Sequence, residues 1–256
     1  MKADQITENI RDLVRRVGHG ILRRSSTEFL AYSDLFLPPY SEAVDWRSGL
    51  GPSLHMLYGL VRTLSPEVVV EIGSARGRSA CALALACRQN RKGKVIAIDP
   101  HQVNDWSDGG TANETYDFLC ERLSRYKLTR WCEVLKMTSA EAFRGWDQPI
   151  DLAFIDGDHS YHGVRTDFEL CLPFLAKDAL VLFHDSAWEH YPEHPAARDN
   201  MGVPQFLEEL KDRGYHAVTL FSMPGLTVLD PRIGGFQYLP SRSSNSSVTR
   251  VSTANA

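Results

Sequence analysis

Two short stretches of this sequence carry residue types that do chemistry. The first is Asp156-Gly157-Asp158-His159, directly after the apolar run Leu152–Ile155; the second is His184-Asp185, directly after Ala179–Phe183. Both runs are too short for a helix and read as buried strands. A strand that ends in a turn puts the next side chains into the crevice at the carboxyl edge of a sheet, where open α/β folds bind ligands. Acids and imidazoles in that crevice can hold a divalent cation or move a proton. Either tip alone could be an ordinary solvated turn, because Asp and Gly are common turn residues. Two neighbouring tips bearing Asp156, Asp158, His159, His184 and Asp185 form a constellation that turn chemistry alone does not predict.

A third stretch would hold a ligand rather than react with it. Val68-Val-Val-Glu71-Ile-Gly73-Ser74-Ala-Arg-Gly77-Arg-Ser79 reads as a β-branched strand, a glycine turn and the start of an alanine-rich helix. That is the first unit of a nucleotide-binding α/β fold. The glycines let the backbone approach a ligand closely, and the helix start offers free N–H groups to a carboxylate or phosphate. The next strand, Lys94–Ile98, ends at Asp99, 26 residues beyond Gly73. An acid there is placed to accept hydrogen bonds from both ribose hydroxyls, close to the roughly 20-residue spacing of dinucleotide folds. The glycine spacing is Gly-x-x-x-Gly, not the GxGxxG of that fingerprint.

These residues need a sheet to carry them. The pattern predicts strands at Val68–Ile72, Lys94–Ile98, Trp131–Lys136, Leu152–Ile155, Ala179–Phe183, Tyr215–Phe221 and Leu226–Leu229. Helices are expected from Pro52 to Leu64, from Ser79, from Asn113 to about 126, after Thr138-Ser139, from Tyr161 to Leu175 and from Val203 to Arg213. Alternating strands and helices imply an α/β fold with a doubly wound, mostly parallel sheet of seven strands. The last two strands, joined by the Met223-Pro-Gly turn, imply an antiparallel hairpin at its edge. Residues 4–24 read as an amphipathic helix that packs on the main domain, covers the site or makes a homo-oligomer contact. Residues 25–51 read as irregular, with Tyr40 and Trp46 candidates to face a ligand. The polar loop 100–112 carries Trp106. The connection 186–203, with Trp188, His190, Tyr191 and His194, reads as a substrate lid, since its histidine spacing fits no standard zinc site. The expected organisation is an N-terminal helix and substrate-side loop over 1–50, the main domain over 51–235 and a disordered polar tail over 236–256.

Composition narrows the function classes. With 256 residues and 43% hydrophobic content, one α/β domain with a substantial core suffices. The formal net charge of −4 gives no electrostatic case for a nucleic-acid partner. No apolar run approaches the roughly 18–20 residues of a membrane span. Five cysteines without a CxxC pair, mostly in apolar settings, suggest reduced thiols in a cytoplasmic protein.

Glu71-x-Gly73-x-x-x-Gly77 after a strand resembles motif I of the class I S-adenosylmethionine-dependent methyltransferases, and the element order resembles their seven-stranded Rossmann-like plan. Glu71-Ile-Gly-Ser, Phe154-Ile-Asp-Gly-Asp-His-Ser-Tyr161 with Val164-Arg-x-Asp167 after it, and His184-Asp185 are similar to one subgroup. That subgroup comprises small bacterial O-methyltransferases of sugars and natural products, of the macrocin, mycinamicin and cephalosporin-hydroxylase-like kind. The resemblance covers roughly residues 50–230. It implies that Glu71, Gly73, Ser74, Gly77 and Ser79 line the methionine part of S-adenosylmethionine, that Asp99 holds the ribose and that Thr138 and Ser139 border the adenine. Asp156 would touch the cofactor and, with Asp185, ligate a magnesium-like divalent cation. His184 sits where relatives carry a second acidic ligand, and imidazole suits zinc, iron or manganese better than magnesium. His159 matches the general base of the macrolide-sugar members and Asp158 the base of a neighbouring branch; the unperturbed pKa of histidine favours His159. The implied partner is a small-molecule hydroxyl acceptor. Three other readings remain from the residues: a methyltransferase without a metal, an NAD-dependent oxidoreductase, and a binding domain that reacts with nothing.

Overall fold

Three consecutive valines and an isoleucine make Val68–Ile72 (β1) an interior strand of the sheet, flanked on both sides. The structure is a computed structural model and describes residues 27–37, 40–103, 113–193, 201–220 and 224–233. The other strands are β2 (Lys94–Ile98), β3 (Cys132–Leu135), β4 (Ile150–Ile155), β5 (Leu175–His184), β6 (His216–Leu220) and β7 (Leu226–Asp230). They lie in the order β3-β2-β1-β4-β5-β7-β6. The strands β1 to β5 pair in parallel, whereas β7 runs antiparallel to both β5 and β6. The expected doubly wound sheet with an antiparallel edge pair is present. Its β7 strand is threaded inside β6.

Alternation along the strands builds a core on each face. Val69, Val95, Ala97, Leu152, Phe154 and Leu182 meet α3 (Ser53–Leu64), α4 (Arg78–Asn90) and α5 (Glu114–Arg125). Val70, Ile72, Ile96, Ile98, Ile155 and Phe183 meet α6 (Ser139–Phe143), α7 (Tyr161–Cys171) and α8 (Val203–Asp212). Every residue of α4 from Ser79 to Cys87 is buried, because this helix lies between the sheet and α3. Its alanines, cysteines and serine are small enough to let both neighbours approach. All five cysteines are free. Among the described residues, no helix is long and apolar enough to cross a membrane.

Register decides what the strand tips share. Ile72 pairs with Ile98 on one side and with Ile155 on the other, so Gly73, Asp99 and Asp156 leave the sheet at one level. Ile155 pairs with Phe183, which puts Asp156 level with His184. The strand order reverses between β1 and β4, the position at which open α/β sheets bind ligands. Gly73 is the closest joint there. Its φ is +87°, and a Cβ on it would sit 2.2 Å from the Asp156 carbonyl oxygen and 2.5 Å from Gly157 Cα. Both obstacles are backbone, so Gly73→Ala must either strain β1 or part the two tips. We expect a loss of about 3–5 kcal/mol in urea unfolding, the sum of overpacking and left-handed strain; a loss below about 1 kcal/mol would show that the tips are not so tightly apposed.

Several elements differ from the sequence expectation. Residues 27–36 (α1) are helical and Tyr40–Ala43 (α2) forms a further turn, within a stretch expected to be irregular. The apolar periodicity of α1 is hidden because polar Ser33 and Asp34 are buried on its inner face. Asp34 accepts from the Tyr126 hydroxyl at 2.8 Å, and the Trp46 indole donates to its carbonyl at 2.9 Å. Helix α7 stops at Cys171 and tightens to a 3-10 turn over Leu172–Phe174, since Pro173 has no N–H to continue it. Strand β5 begins earlier than expected, at Leu175, with a register irregularity opposite Ile150–Leu152. The expected N-terminal helix over 4–24, Trp106, His194 and the polar tail lie outside the described residues.

Candidate active site

Asp156 and His159 follow the end of β4, His184 is the last residue of β5 and Asp185 follows it. The His184 Nδ1 lies 3.0 Å from Asp156 Oδ1 and 3.1 Å from Asp185 Oδ2. The second imidazole, His159, spans the same two acids: its Nε2 is 3.5 Å from Asp156 Oδ1 and its Nδ1 is 3.3 Å from Asp185 Oδ2. Asp185 has a φ of +53°, uncommon for a residue with a side chain. Its Oδ1 accepts from the Trp188 indole at 2.5 Å. Phe154 meets the His184 ring edge-on at 6.2 Å between centroids. Both acids and both imidazoles line one cavity of about 610 Å³, within the usual range of small-molecule sites.

Burial and charge oppose each other in this cluster. Desolvation alone would raise Asp156, but the His184 charge and hydrogen bonds to His159 and His184 hold its carboxyl below the ordinary range. Burial pulls His184 down, and the charges of Asp156 and Asp185 outweigh it, so the imidazole titrates well above its usual value. His159 follows the same logic: burial lowers it, and the hydrogen bond to Asp156 with the charges of Asp185 and Asp156 leaves it raised. The donor atoms of Asp156, His184 and Asp185 lie within 4.8 Å of one another. Such a convergent set of two carboxylates and one imidazole fits a divalent ion, with the nitrogen favouring manganese, iron or zinc.

The other half of the cavity is lined by the glycine turn and the tip of β2. Asp99 is fixed by the backbone: Ala75 N donates to its Oδ2 at 2.8 Å and His101 N to its Oδ1 at 2.6 Å. This ties the tip of β2 to the glycine turn and leaves the carboxylate on the cavity wall. Gly77, with φ +82°, is the N-cap of α4 and supplies no side-chain cap, so the first amides of that helix are available to an anion. Gly73, Ser74, Gly77 and Ser79 line the cavity, and the buried Ser74 hydroxyl has no hydrogen-bond partner. Glu71 does not reach the wall. It is fully buried behind the turn, and desolvation, partly offset by the Ser79 hydroxyl and reinforced by Asp156 and Asp99, pushes its carboxyl up to about 8.

The candidates at the remaining tips divide in the structure. Thr138 is the N-cap of α6, in a capping box with Glu141, so its hydroxyl is committed to the helix. Ser139, expected with Thr138 to border the adenine, donates to Asp167 Oδ1 at 2.6 Å. Asp158 is exposed and accepts from Ser160 N at 2.9 Å at the start of α7, while His159 faces both acids. Sequence reading gave no role to Asp167 or Arg76, both of which line the cavity. Arg76 pairs with Glu114 at 2.7 Å and stacks over Phe118, 4.0 Å from the ring centroid. Trp46 and Trp188 also form part of the wall. The described ends of the 186–203 connection reach the site through Trp188 and Met201, and Gly202 N donates to the His159 carbonyl at 2.8 Å.

Comparison with known proteins agrees with this geometry. Residues 70–186 match a family model described as a methyltransferase domain. An uncharacterized protein of Sinorhizobium fredii is 30% identical over 155 residues, which are 57% of this chain and 17% of that protein. The chain thus spans less than a fifth of that relative's length. A Podospora anserina methyltransferase solved with S-adenosylhomocysteine superposes with a TM-score of 0.57 at 13% identity, covering 85% of this chain and 94% of that one. A Streptomyces achromogenes O-methyltransferase involved in tomaymycin synthesis, solved with S-adenosylmethionine, gives 0.56 at 18% identity, covering 80% and 88%. Residues 70–186 are thus similar to a methyltransferase domain, and the chain has the fold of those solved methyltransferases.

Proposed function

We propose that the chain transfers a methyl group from S-adenosylmethionine to a hydroxyl of a small molecule, with a divalent cation held by Asp156, His184 and Asp185. The observation that carries the reading is the pair of imidazoles and pair of acids in the wall of the cavity that Asp99 and the glycine turn also line. The sulfonium cofactor supplies an electrophilic methyl group. Asp156, His184 and Asp185 would hold the cation, which would supply Lewis-acid activation of an acceptor hydroxyl. The chain's own residues do the rest. Asp99 and the α4 amides fix the nucleoside and carboxylate ends, and Asp185, tied to Trp188, fixes His159. Nε2 of His159, at the long end of hydrogen-bond range from Asp156, accepts the hydroxyl proton. Positioning of the two reactants accounts for much of the acceleration in such a displacement. The Phe154–Tyr161 and His184-Asp185 patterns support the narrower reading of a sugar or natural-product acceptor.

The test is transfer from methyl-labelled S-adenosylmethionine to a panel of sugars, catechols and phenols, before and after chelation. Oxygen-linked label that falls at least tenfold on chelation and returns with manganese or magnesium is the expected result. Label on nitrogen or sulfur acceptors alone would overturn the proposal. One observation favours a second reading without metal: His184 Nδ1 already bridges both acids. Oxygen methylation unaffected by chelation would establish that reading in its place.

A further inference from the structure

The mechanism above leaves Asp167 without a task. It sits within α7, is 6% exposed and lines the cavity. Ser139 Oγ donates to its Oδ1 at 2.6 Å. Its other oxygen faces Gly157, where an added Cβ would lie 3.1 Å from Oδ2 and 3.4 Å from Ile72 Cγ2. Ile72 and Ile98, the last residues of β1 and β2, line the cavity on the sheet face against which α6 and α7 pack. The wall beside Asp99 is therefore aliphatic at Ile72 and Ile98, with Gly157 against Ile72 and the Asp167 carboxylate next to it. Burial, moderated by the Ser139 hydrogen bond and reinforced by Asp158, raises that carboxyl to about 6, so at neutral pH it is mostly ionised and purely an acceptor. Such a wall suits a flat ring that offers an N–H at its rim. A ribose held on Asp99 would bring its attached ring toward the ends of β1 and β2, where Ile72 and Ile98 line the cavity.

We propose that Asp167 reads the base of the cofactor: Ser139 holds Oδ1, and Oδ2 accepts a hydrogen bond from the exocyclic amine of adenine. This rests on the cofactor assigned above and makes Asp167 a specificity-determining residue for it. A tie between α6 and α7 would also explain the Ser139 contact, and it predicts no preference among bases.

Calorimetry with S-adenosylhomocysteine and S-inosylhomocysteine separates the two, because the inosine compound presents an oxygen where adenine presents the amine. The native protein should prefer the adenosine compound by about tenfold or more, as sites built around a hydrogen bond do. In Asp167→Asn, the Ser139 hydroxyl keeps the amide oxygen at the Oδ1 position and leaves the amide N–H facing the cavity. The preference should shift by about tenfold or more toward the inosine compound, with the unliganded melting temperature unchanged. Asp167→Ala should bring the two ligands within about threefold. A native protein that binds both equally, or variants that keep the native ratio, would overturn the assignment. Failure of the native protein to bind either compound would overturn the cofactor reading beneath it.

Discussion

Asp156→Ala should lower methyl transfer by about 10³-fold or more. Its Oδ1 lies within 3.5 Å of both imidazoles, and it is one of three candidate cation ligands. Removing it takes away a donor for the cation and one of the two acids that hold His159. A Lewis acid is worth several kcal/mol, and about 4 kcal/mol corresponds to the expected factor. Added manganese should restore only part of the rate, since the missing oxygen also orients His159. Stability gives a second readout. Asp156 has a lowered pKa in the fold, so its contribution is present above the ordinary value of about 3.8 and fades as pH falls below it. His184 has a raised one, so its contribution is full below about 6.5 and fades as pH rises through the raised value. Asp156→Asn, which keeps the shape and removes the charge, should therefore cost the unliganded protein most stability near pH 5–6. A turnover within threefold of native in Asp156→Ala would contradict the assignment.

His159→Ala should lose about 10²–10⁴-fold in kcat, the usual contribution of a positioned general base. Binding of S-adenosylmethionine should stay within about twofold, because the glycine turn and Asp99 are untouched. The pH profile distinguishes a base from a packing residue. His159 must be neutral to accept a proton, so native kcat should climb with pH as the imidazole loses its proton. That limb should be absent from the residual activity of the variant. A variant that keeps native turnover, or loses turnover and keeps the limb, would remove His159 as the base and bring Asp158 forward.

The strand tips were legible in the sequence because the signal is local: a short β-branched or apolar run that stops abruptly at Gly73, Asp99, Asp156 or His184. The alternation of strands and helices also gave the sheet and its antiparallel edge. Register was not legible. That Asp156 stands level with His184 follows from Ile155 pairing with Phe183 across two strands, which no local pattern encodes. Glu71 was read into the cavity from its place in the glycine motif, but the alternation of β1 turns it, with Val69, toward the α4 face. Helix α1 was missed because Ser33 and Asp34 are buried through hydrogen bonds rather than apolar contact. Asp167 entered the sequence reading only as the end of the Val164-Arg-x-Asp167 pattern, with no role attached, because helical spacing alone does not show which face it takes. A contact between Ser139 and Asp167 joins positions 28 residues apart and needs the fold to be seen.

Titration calorimetry of the purified protein with S-adenosylmethionine tests the central claim most directly, alongside NAD as the competing ligand and Asp99→Ala as the control. The account predicts micromolar binding of S-adenosylmethionine, at least tenfold weaker binding in Asp99→Ala and no binding of NAD. Heat from NAD with none from S-adenosylmethionine would contradict it and assign the glycine turn and Asp99 to a dinucleotide.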